Sequence, residues 1–250
     1  MDLGLTDRVY VVTGGSRGLG RATAEALVGE GARVVLAARG KEAVAEAVAS
    51  LGEDRAAGLA ADLAAPDAAE RLLALANERF GRFDGALVSV GGPPPAAASA
   101  ATDEQWRAAF ESVFLGAVRA ARTFAPALGE GGALGLVLSS SARSPIPGLA
   151  ISNGLRPGLA MVAKDLADEF GPRGVRVLGL MPGRIATDRT RQLDAAADPA
   201  TRQRTREAIP LGRYGEPAEF GRVAAFLLSP AAGYVTGTTV PVDGGALRVP

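Results

Sequence analysis

Residues 13–20 of this chain read Thr-Gly-Gly-Ser-Arg-Gly-Leu-Gly. The stretch follows a short β-branched run, residues 8–13, and precedes a helical pattern over residues 19–30. Glycines allow a tight turn and a close backbone approach, and a helix N-terminus offers free N–H groups and a positive dipole end. The loop therefore predicts a phosphate or dinucleotide site. The alternative is an ordinary strand-to-helix turn that is rich in glycine.

The rest of the chain continues the alternation of apolar strands and amphipathic helices. The expected strands are Arg8–Thr13, Ala32–Ala37, Ala56–Ala61, Ala86–Val90, Leu134–Ser139, Val175–Met181 and Thr238–Val242. The expected helices are Leu19–Glu30, Lys41–Leu51, Pro66–Phe80, Asp103–Leu128, Arg156–Phe170 and Glu216–Leu228. This order predicts an α/β fold of the Rossmann type: a doubly wound, mainly parallel seven-stranded sheet with helices on both faces. No break in composition divides residues 1–250, so we expect a single domain.

Composition excludes several functions. Lys plus Arg and Asp plus Glu both number 27, so no global charge favours nucleic acid or an anionic membrane. The chain has no cysteine and no histidine, which removes disulfides, thiolate chemistry and the commonest zinc ligands, and we expect no metal. The first residues lack the pattern of a signal peptide, and no apolar run approaches a membrane span. We therefore expect a cytoplasmic protein.

The end of the second strand bears on the choice of cofactor. A carboxylate at this point of a dinucleotide-binding fold accepts hydrogen bonds from the ribose 2′-OH. Here the sequence is Ala37-Ala38-Arg39, without a carboxylate, and Arg17 lies on the adjacent loop. Guanidinium groups suit a 2′-phosphate. The pair favours NADP(H) over NAD(H), with two solvated arginines as the alternative.

Taken together, these landmarks resemble the short-chain dehydrogenase/reductase family over essentially the whole chain. The matching stretches are the Thr13–Gly20 loop, Asp62-Leu63, Pro182-Gly183-x-Ile185-x-Thr187, and the tail from Tyr234 to Gly245. Residues 91–95 and 152–156 are similar to a divergent branch that resembles 3-oxoacyl-acyl-carrier-protein reductases.

The resemblance implies a role for each matching position. Asp62 would bind the adenine amino group with Leu63 packed nearby, Gly91 would leave room for adenosine, and Thr187 with the Ile185 backbone would hold the carboxamide. Residues 188–210 would form a substrate lid, and the family implies a homo-oligomer, a tetramer or dimer. Helix capping is the alternative role for Asp62 and Thr187. The cofactor contacts expected on this basis are Gly14, Ser16, Arg17, Gly18, Leu19, Gly20, Arg39, Asp62, Leu63, Gly91, Arg156, Pro182, Gly183, Ile185 and Thr187.

The catalytic positions depart from the family pattern. Alignment places Ser152 where the family has its proton-donating tyrosine, Arg156 where it has lysine, and Val113 where it has asparagine. The carbonyl-orienting serine survives at Ser139. A serine hydroxyl is a much weaker acid than a phenol, and loss of general acid catalysis costs about 10²–10⁴ in rate. Arg156 can still supply positive charge and bind ribose, but it does not exchange protons.

Pro157 adds a structural question. The residue before a proline is disfavoured in helical geometry, and proline suits the first helical turn. The sequence therefore predicts a helix that starts near Arg156, with Ser152 on a loop. Ser141 and Ser144 are expected to be turn hydroxyls that satisfy backbone groups.

Three functions follow. The first is an NADP(H)-dependent oxidoreductase acting on a carbonyl or alcohol, 3-oxoacyl-like, with the non-standard catalytic set Ser139, Ser152 and Arg156. Its partners would be a small-molecule or acyl-thioester substrate. The second is a catalytically inactive cofactor-binding protein, a sensor or a partner subunit. The third is non-redox chemistry on the same scaffold, since fold does not fix function.

Overall fold

The computed structural model describes residues 2–195 and 198–248. One sheet of seven strands, in the order β3-β2-β1-β4-β5-β6-β7, forms its centre, and every pairing is parallel. The strands are β1 Val9–Thr13, β2 Arg33–Ala38, β3 Ala56–Ala60, β4 Gly85–Val88, β5 Ala133–Val137, β6 Arg176–Pro182 and β7 Thr239–Val242. The predicted doubly wound sheet is confirmed.

Helices connect the strands on both faces. In the described part of the chain they are α1 Gly18–Gly29, α2 Lys41–Leu51, α3 Ala68–Phe80, α4 Asp103–Ala109, α5 Gly116–Ala127, α6 Ala150–Phe170, α7 Asp188–Ala195, α8 Pro199–Glu207 and α9 Pro217–Leu228. A π-helical turn, Phe110–Leu115, joins α4 to α5, so the long helix expected over Asp103–Leu128 is continuous but not uniform.

Alternate residues of each strand face opposite layers. Val9 and Val11 pack into the core covered by α3, α5 and α6, whereas Tyr10 and Val12 pack into the core covered by α1, α2 and α9. All five residues of β1 are buried, as expected for a central parallel strand that is covered on both sides.

The carboxyl ends of the strands meet at one edge of the sheet. From β1 the chain adds β2 and β3 on one side of the sheet, and then returns to add β4 on the other side of β1. This reversal opens a crevice at the carboxyl ends of β1 and β4. Two hydrogen bonds close the base of this crevice: Thr13 Oγ1 donates to Ser89 O, and Ser89 N donates to Thr13 Oγ1, both at 2.8 Å. Because Ser89 N bonds to a side chain rather than to a strand, β4 ends at Val88 and not at the predicted Val90.

The predicted start of α6 was wrong. The helix begins at Ala150 and runs through Pro157, so Ser152 lies in its first turn and not on a loop. The Asn153 side chain ties this turn to the preceding loop, since its Oδ1 accepts from Ile146 N at 3.0 Å and its Nδ2 donates to Ile146 O at 2.9 Å. Ile151 is fully buried. These tertiary contacts outweigh the local preference imposed by Pro157.

The polar segment 188–210 folds as α7 and α8, although no periodicity was evident in its sequence. Residues 196 and 197 of this segment lie outside the described residues. Tyr214 Oη donates to Asp194 Oδ1 at 3.2 Å, and an Arg184–Asp194 ion pair at 3.8 Å also holds the C-terminal end of α7. The contacts just named hold α7 through polar groups, and the sequence of α8 is mostly polar, which explains why a hydrophobic pattern did not reveal these helices.

Candidate active site

The glycine loop between β1 and α1 forms a cradle at the crevice. Gly14 and Gly18 adopt φ of +62° and +58°, in the left-handed region that favours glycine. A Cβ added to Gly20 would lie 2.4 Å from Gly14 O, so the third glycine is required by helix–strand packing. The side chain of Arg17, the N-cap residue of α1, makes no capping hydrogen bond, which leaves the first N–H groups of the helix for a ligand. The cradle fits a pyrophosphate.

Arg17 and Arg39 are both exposed at this edge of the sheet. In the part of the chain that the structure describes, neither guanidinium makes an ion pair or a hydrogen bond within the protein. The pKa of the Asp188 carboxyl is lowered, mainly by its contact with Arg191, with Arg17 adding a weaker attraction. The charge of Arg17 therefore extends toward the start of α7.

Asp62 follows β3 and has an exposed side chain. Its Oδ1 accepts from Ala64 N at 3.0 Å, which stabilises its own turn. The alternative role as the N-cap of the next helix was wrong, because α3 begins at Ala68 and Asp67 precedes it. Leu63 is half-buried, and its carbonyl oxygen would be 2.8 Å from a Cβ at Gly116. In the described residues, no hydrogen bond to the second carboxylate oxygen of Asp62 is present, and the residue is exposed.

The loop after β4 forms the opposite wall of the crevice. Gly91 is exposed, and a Cβ added there would meet no atom within 4 Å, so open space adjoins this residue. Arg189 of α7 donates from Nη2 to Pro93 O at 2.7 Å. This bond joins the helix after β6 to the loop after β4, across the mouth of the crevice.

The loop after β6 contains the Pro182–Thr187 stretch. Gly183 lies against Asp243, whose Cβ would be 2.6 Å from an added Cβ, and this close approach explains the glycine. Ile185 is buried. Thr187 Oγ1 accepts from Thr190 N at 3.4 Å, so Thr187 does cap α7. Its methyl group would lie 3.7 Å from a Cβ at Gly18, which places Thr187 beside the glycine cradle.

Three serines gather at the end of β5. Ser139 follows the strand, is half-buried, and accepts through Oγ from Ser141 N at 3.2 Å. Ser141 Oγ lies 3.0 Å from Ser152 Oγ, and both of these residues are buried. The contact between Ser141 and Ser152 was not anticipated, since Ser141 was expected to serve only its turn. A hydroxyl-rich segment indicates such a cluster, but the sequence does not pair its members.

Arg156 lies one turn after Ser152 on the same face of α6. It is 3 % exposed, and its Nη1 donates to Val137 O at 2.7 Å. Its Nε has no partner within the described residues, and no carboxylate among them pairs with the guanidinium. Burial alone lowers the pKa of Arg156 to about 10. The site therefore holds an uncompensated positive charge at the end of β5.

Val113 occupies the π-helical turn and is 3 % exposed. An asparagine at this position would bring polar atoms into the same buried space. Valine provides no hydrogen-bonding group there. The π-helical turn is therefore apolar at residue 113. Any water network at the site relies on other side chains.

A parallel sheet with a glycine cradle at its switch point defines a dinucleotide-binding α/β protein. The family described as Enoyl-(Acyl carrier protein) reductase matches residues 14–246. The L-rhamnose 1-dehydrogenase (NAD(P)(+)) of Azotobacter vinelandii is 34% identical over 96% of this chain and 97% of its own length. The 3-oxoacyl-[acyl-carrier-protein] reductase of a Synechocystis strain is 32% identical over 96% of this chain and 97% of its own length.

Solved structures give the same result. A short-chain dehydrogenase/reductase from Brucella melitensis superposes with a TM-score of 0.93 at 32% identity, over 100% of both chains. An L-sorbose reductase from Gluconobacter frateurii, solved with NADPH and L-sorbose, gives 0.92 at 31% identity, also over 100% of both chains. The chain belongs to the short-chain dehydrogenase/reductase family, whose members interconvert carbonyls and alcohols with a nicotinamide cofactor. In the described residues, no helix is long and apolar enough to cross a membrane.

Proposed function

We propose that this protein is an NADP(H)-dependent oxidoreductase that interconverts a carbonyl and an alcohol, with Ser152 as proton donor in place of a phenol. The observation that carries the proposal is the uncompensated charge of Arg156, one turn from Ser152. A buried cation without a carboxylate partner destabilises a fold. Such a charge is well placed to stabilise an oxygen that becomes negative during the reaction.

The cofactor supplies a hydride to the carbonyl carbon when it is bound. The glycine cradle fits its pyrophosphate, and the open space beside Gly91 fits adenosine. Asp62 would accept from the adenine amino group through its free oxygen, and Thr187 and Ile185 would hold the carboxamide. The full proposed set comprises Gly14, Ser16, Arg17, Gly18, Leu19, Gly20, Arg39, Asp62, Leu63, Gly91, Arg156, Pro182, Gly183, Ile185 and Thr187.

The choice of NADP(H) over NAD(H) rests on Arg17 and Arg39. Both guanidiniums are exposed and free of internal ion pairs in the described residues, and the end of β2 offers no carboxylate to a ribose 2′-OH. A 2′-phosphate accepts two or more charge-assisted hydrogen bonds from such groups.

Each catalytic side chain has a distinct task in this proposal. Ser139, at the mouth of the site, would orient the carbonyl oxygen by donating its hydroxyl proton. Ser152 would transfer a proton to that oxygen as it gains charge. Arg156, whose side chain is buried beneath them, would act mainly through its charge. Its guanidinium is buried and donates to Val137 O, so direct contact with the cofactor ribose is the weaker part of its proposed role.

The substrate side of the crevice would be closed by residues 188–210. The Arg189–Pro93 bond already holds α7 across the mouth of the crevice. Curated relatives include a sugar dehydrogenase, a levodione reductase and a 3-oxoacyl-thioester reductase. We propose a 3-oxoacyl-like substrate because residues 91–95 and 152–156 resemble that branch of the family.

A catalytically inactive cofactor-binding protein is the second candidate. The apolar Val113 favours it, because the family's usual water anchor is missing from the buried π-helical turn. A sensor or partner subunit would keep the cradle and lose the proton route. This candidate predicts binding without turnover, and no turnover when Val113→Asn, Ser152→Tyr and Arg156→Lys are combined.

Cofactor choice is tested by fluorescence titration with NADPH and NADH. Arg39→Ala should weaken NADPH binding about 10- to 100-fold, as loss of a charged hydrogen bond of about 1.5–3 kcal/mol implies, and leave NADH binding unchanged. Arg122→Ala, an exposed arginine on α5, is the matched control. Equal weakening of NADH and NADPH by Arg39→Ala would contradict the assignment.

Turnover is tested by stopped-flow oxidation of NADPH with a panel of ketones, 3-oxoacyl thioesters and quinones. The first proposal expects turnover of at least one compound and a large loss with Ser139→Ala. Tight NADPH binding without oxidation across the panel would instead support the inactive candidate.

We also propose a homo-oligomer. Phe110 and Met161 are 44% and 64% exposed on the π-helical turn and on α6, and Phe110 lines a depression together with Trp106 and Leu155. A second copy of the chain would cover these apolar side chains. Light scattering of the wild type and of Met161→Lys measures the mass directly, and a monomeric wild type would refute this proposal.

A further inference from the structure

The hydroxyls of Ser141 and Ser152 form an isolated buried pair. Their oxygens lie 3.0 Å apart, and in the described residues neither side chain makes another hydrogen bond. Ser141 is 3% exposed and Ser152 is 6% exposed. A buried hydroxyl can donate one hydrogen bond and accept two, so this pair leaves much of its capacity unused.

Two hydroxyl protons are present, and only one of them lies between the two oxygens. If Ser141 donates to Ser152, the proton of Ser152 is available to a further acceptor. If Ser152 donates, the proton of Ser141 is the one available. The pair can therefore pass a proton in either direction by a change of hydrogen-bond partner, without movement of the backbone.

The surroundings of the pair give this transfer a direction. Ser141 N donates to Ser139 Oγ, which holds Ser141 next to the residue proposed to orient the carbonyl. Arg156 lies one turn after Ser152 on α6, with no carboxylate partner among the described residues. Its positive charge favours a momentarily negative oxygen at Ser152 over a neutral one.

We propose that Ser141 is the second member of the proton relay, a positioning residue that re-protonates Ser152. This inference rests on the proposed function. As the carbonyl carbon accepts the hydride, the C=O π pair moves onto oxygen, and this oxygen takes the proton of Ser152 as the Oγ–H bond breaks. Ser152 Oγ then takes the proton of Ser141, and solvent returns one proton to Ser141. One carbonyl and one solvent proton are consumed for each hydride transferred.

Ser141→Ala tests the relay, with Ser144→Ala as the matched control outside the hydroxyl pair. We expect kcat for carbonyl reduction to fall about tenfold or more in Ser141→Ala, within the range for loss of acid–base assistance. KM and the NADPH dissociation constant should stay within about twofold of wild type, as for an interaction made only in the transition state. The solvent deuterium isotope effect on kcat should rise, and Ser141→Thr, which keeps the hydroxyl, should restore much of the rate.

A double-mutant cycle tests the pair without turnover. The unfolding equilibrium constants of Ser141→Ala, Ser152→Ala and the double variant should be non-additive by about two- to tenfold, as expected for one hydrogen bond. Additive effects, or an unchanged kcat and isotope effect in Ser141→Ala, would overturn the relay while the proposed function stands. A wild type that binds NADPH but never turns over would overturn both.

Discussion

Arg156→Met should leave the protein as stable as the wild type or slightly more stable, while it slows turnover. Burial lowers the pKa of the guanidinium from 12.5 to about 10. At 1.36 kcal/mol for each pKa unit, the charged form is disfavoured in the folded state by about 3 kcal/mol. Methionine removes this cost and fills similar volume. It also removes the bond from Nη1 to Val137 O, worth about 1.5–3 kcal/mol. The net expectation is a change between about 0 and a gain of about 1.5 kcal/mol in the free energy of unfolding.

Arg176→Met is the matched control. Arg176 is also buried, at 5% exposed, and burial lowers its pKa as well. Its guanidinium, however, donates to Leu227 O at 2.7 Å, Ser229 O at 2.8 Å and Val235 O at 3.3 Å. Removing this donor set leaves carbonyls without partners, and we expect a loss of about 3 kcal/mol or more.

Urea denaturation and thermal denaturation, both followed by circular dichroism at pH 7, measure both variants. For a chain of this length, a gain of about 1 kcal/mol corresponds to a rise in Tm of about 2–4 °C. If Arg156→Met loses as much stability as Arg176→Met, the prediction is refuted. Arg156 would then serve mainly as a structural hydrogen-bond donor and not as a destabilising buried charge.

Two further predictions concern the cradle and the surface. Gly20→Ala should cost about 1–3 kcal/mol of unfolding free energy and weaken NADPH binding, because its Cβ would lie 2.4 Å from Gly14 O. Gly29→Ala, at a position with open space, is its control in the same urea and fluorescence measurements. The pKa of Glu219 is lowered to about 2, mainly by the hydrogen bond from Arg213. Because this pKa is lower in the folded state than the value of 4.5 in the unfolded state, ionised Glu219 stabilises the fold at pH values above about 4.5. The stability difference between wild type and Glu219→Gln should therefore shrink as pH falls from about 5 toward 2. A difference that stays constant over this range, measured by thermal denaturation, would contradict the assignment.

The fold was predictable because its signals are local and repeated. Continuous apolar runs predict buried strands, glycines predict turns, and amphipathic patterns predict helices. Together these local patterns predict one parallel sheet. The cradle was predictable for the same reason, because Gly14, Gly18 and Gly20 lie in one short loop whose geometry needs glycine.

The catalytic side was less predictable because its contacts link distant parts of the chain. The start of α6 depends on Asn153 bonding to Ile146, which no helix propensity describes. The partner of Ser152 lies eleven residues earlier, at Ser141. The burial of Arg156 depends on where the end of β5 lies relative to α6. The sequences of α7 and α8 are mostly polar, so they carry no hydrophobic period from which a helix could be predicted.

The packing of α1 against α9 has a consequence for synthesis. These helices touch so closely that a Cβ at Gly221 would lie 2.3 Å from Ala22 O, and they share a core that includes Leu27 and Phe220. Helix α1 leaves the ribosome early, whereas α9 comes near the end of the chain. Until α9 is made, the apolar face of α1 lacks that cover, although β1 and β2 can already pair. The nascent chain therefore exposes this apolar face while the segment between the two helices is translated, and exposed apolar surface promotes aggregation.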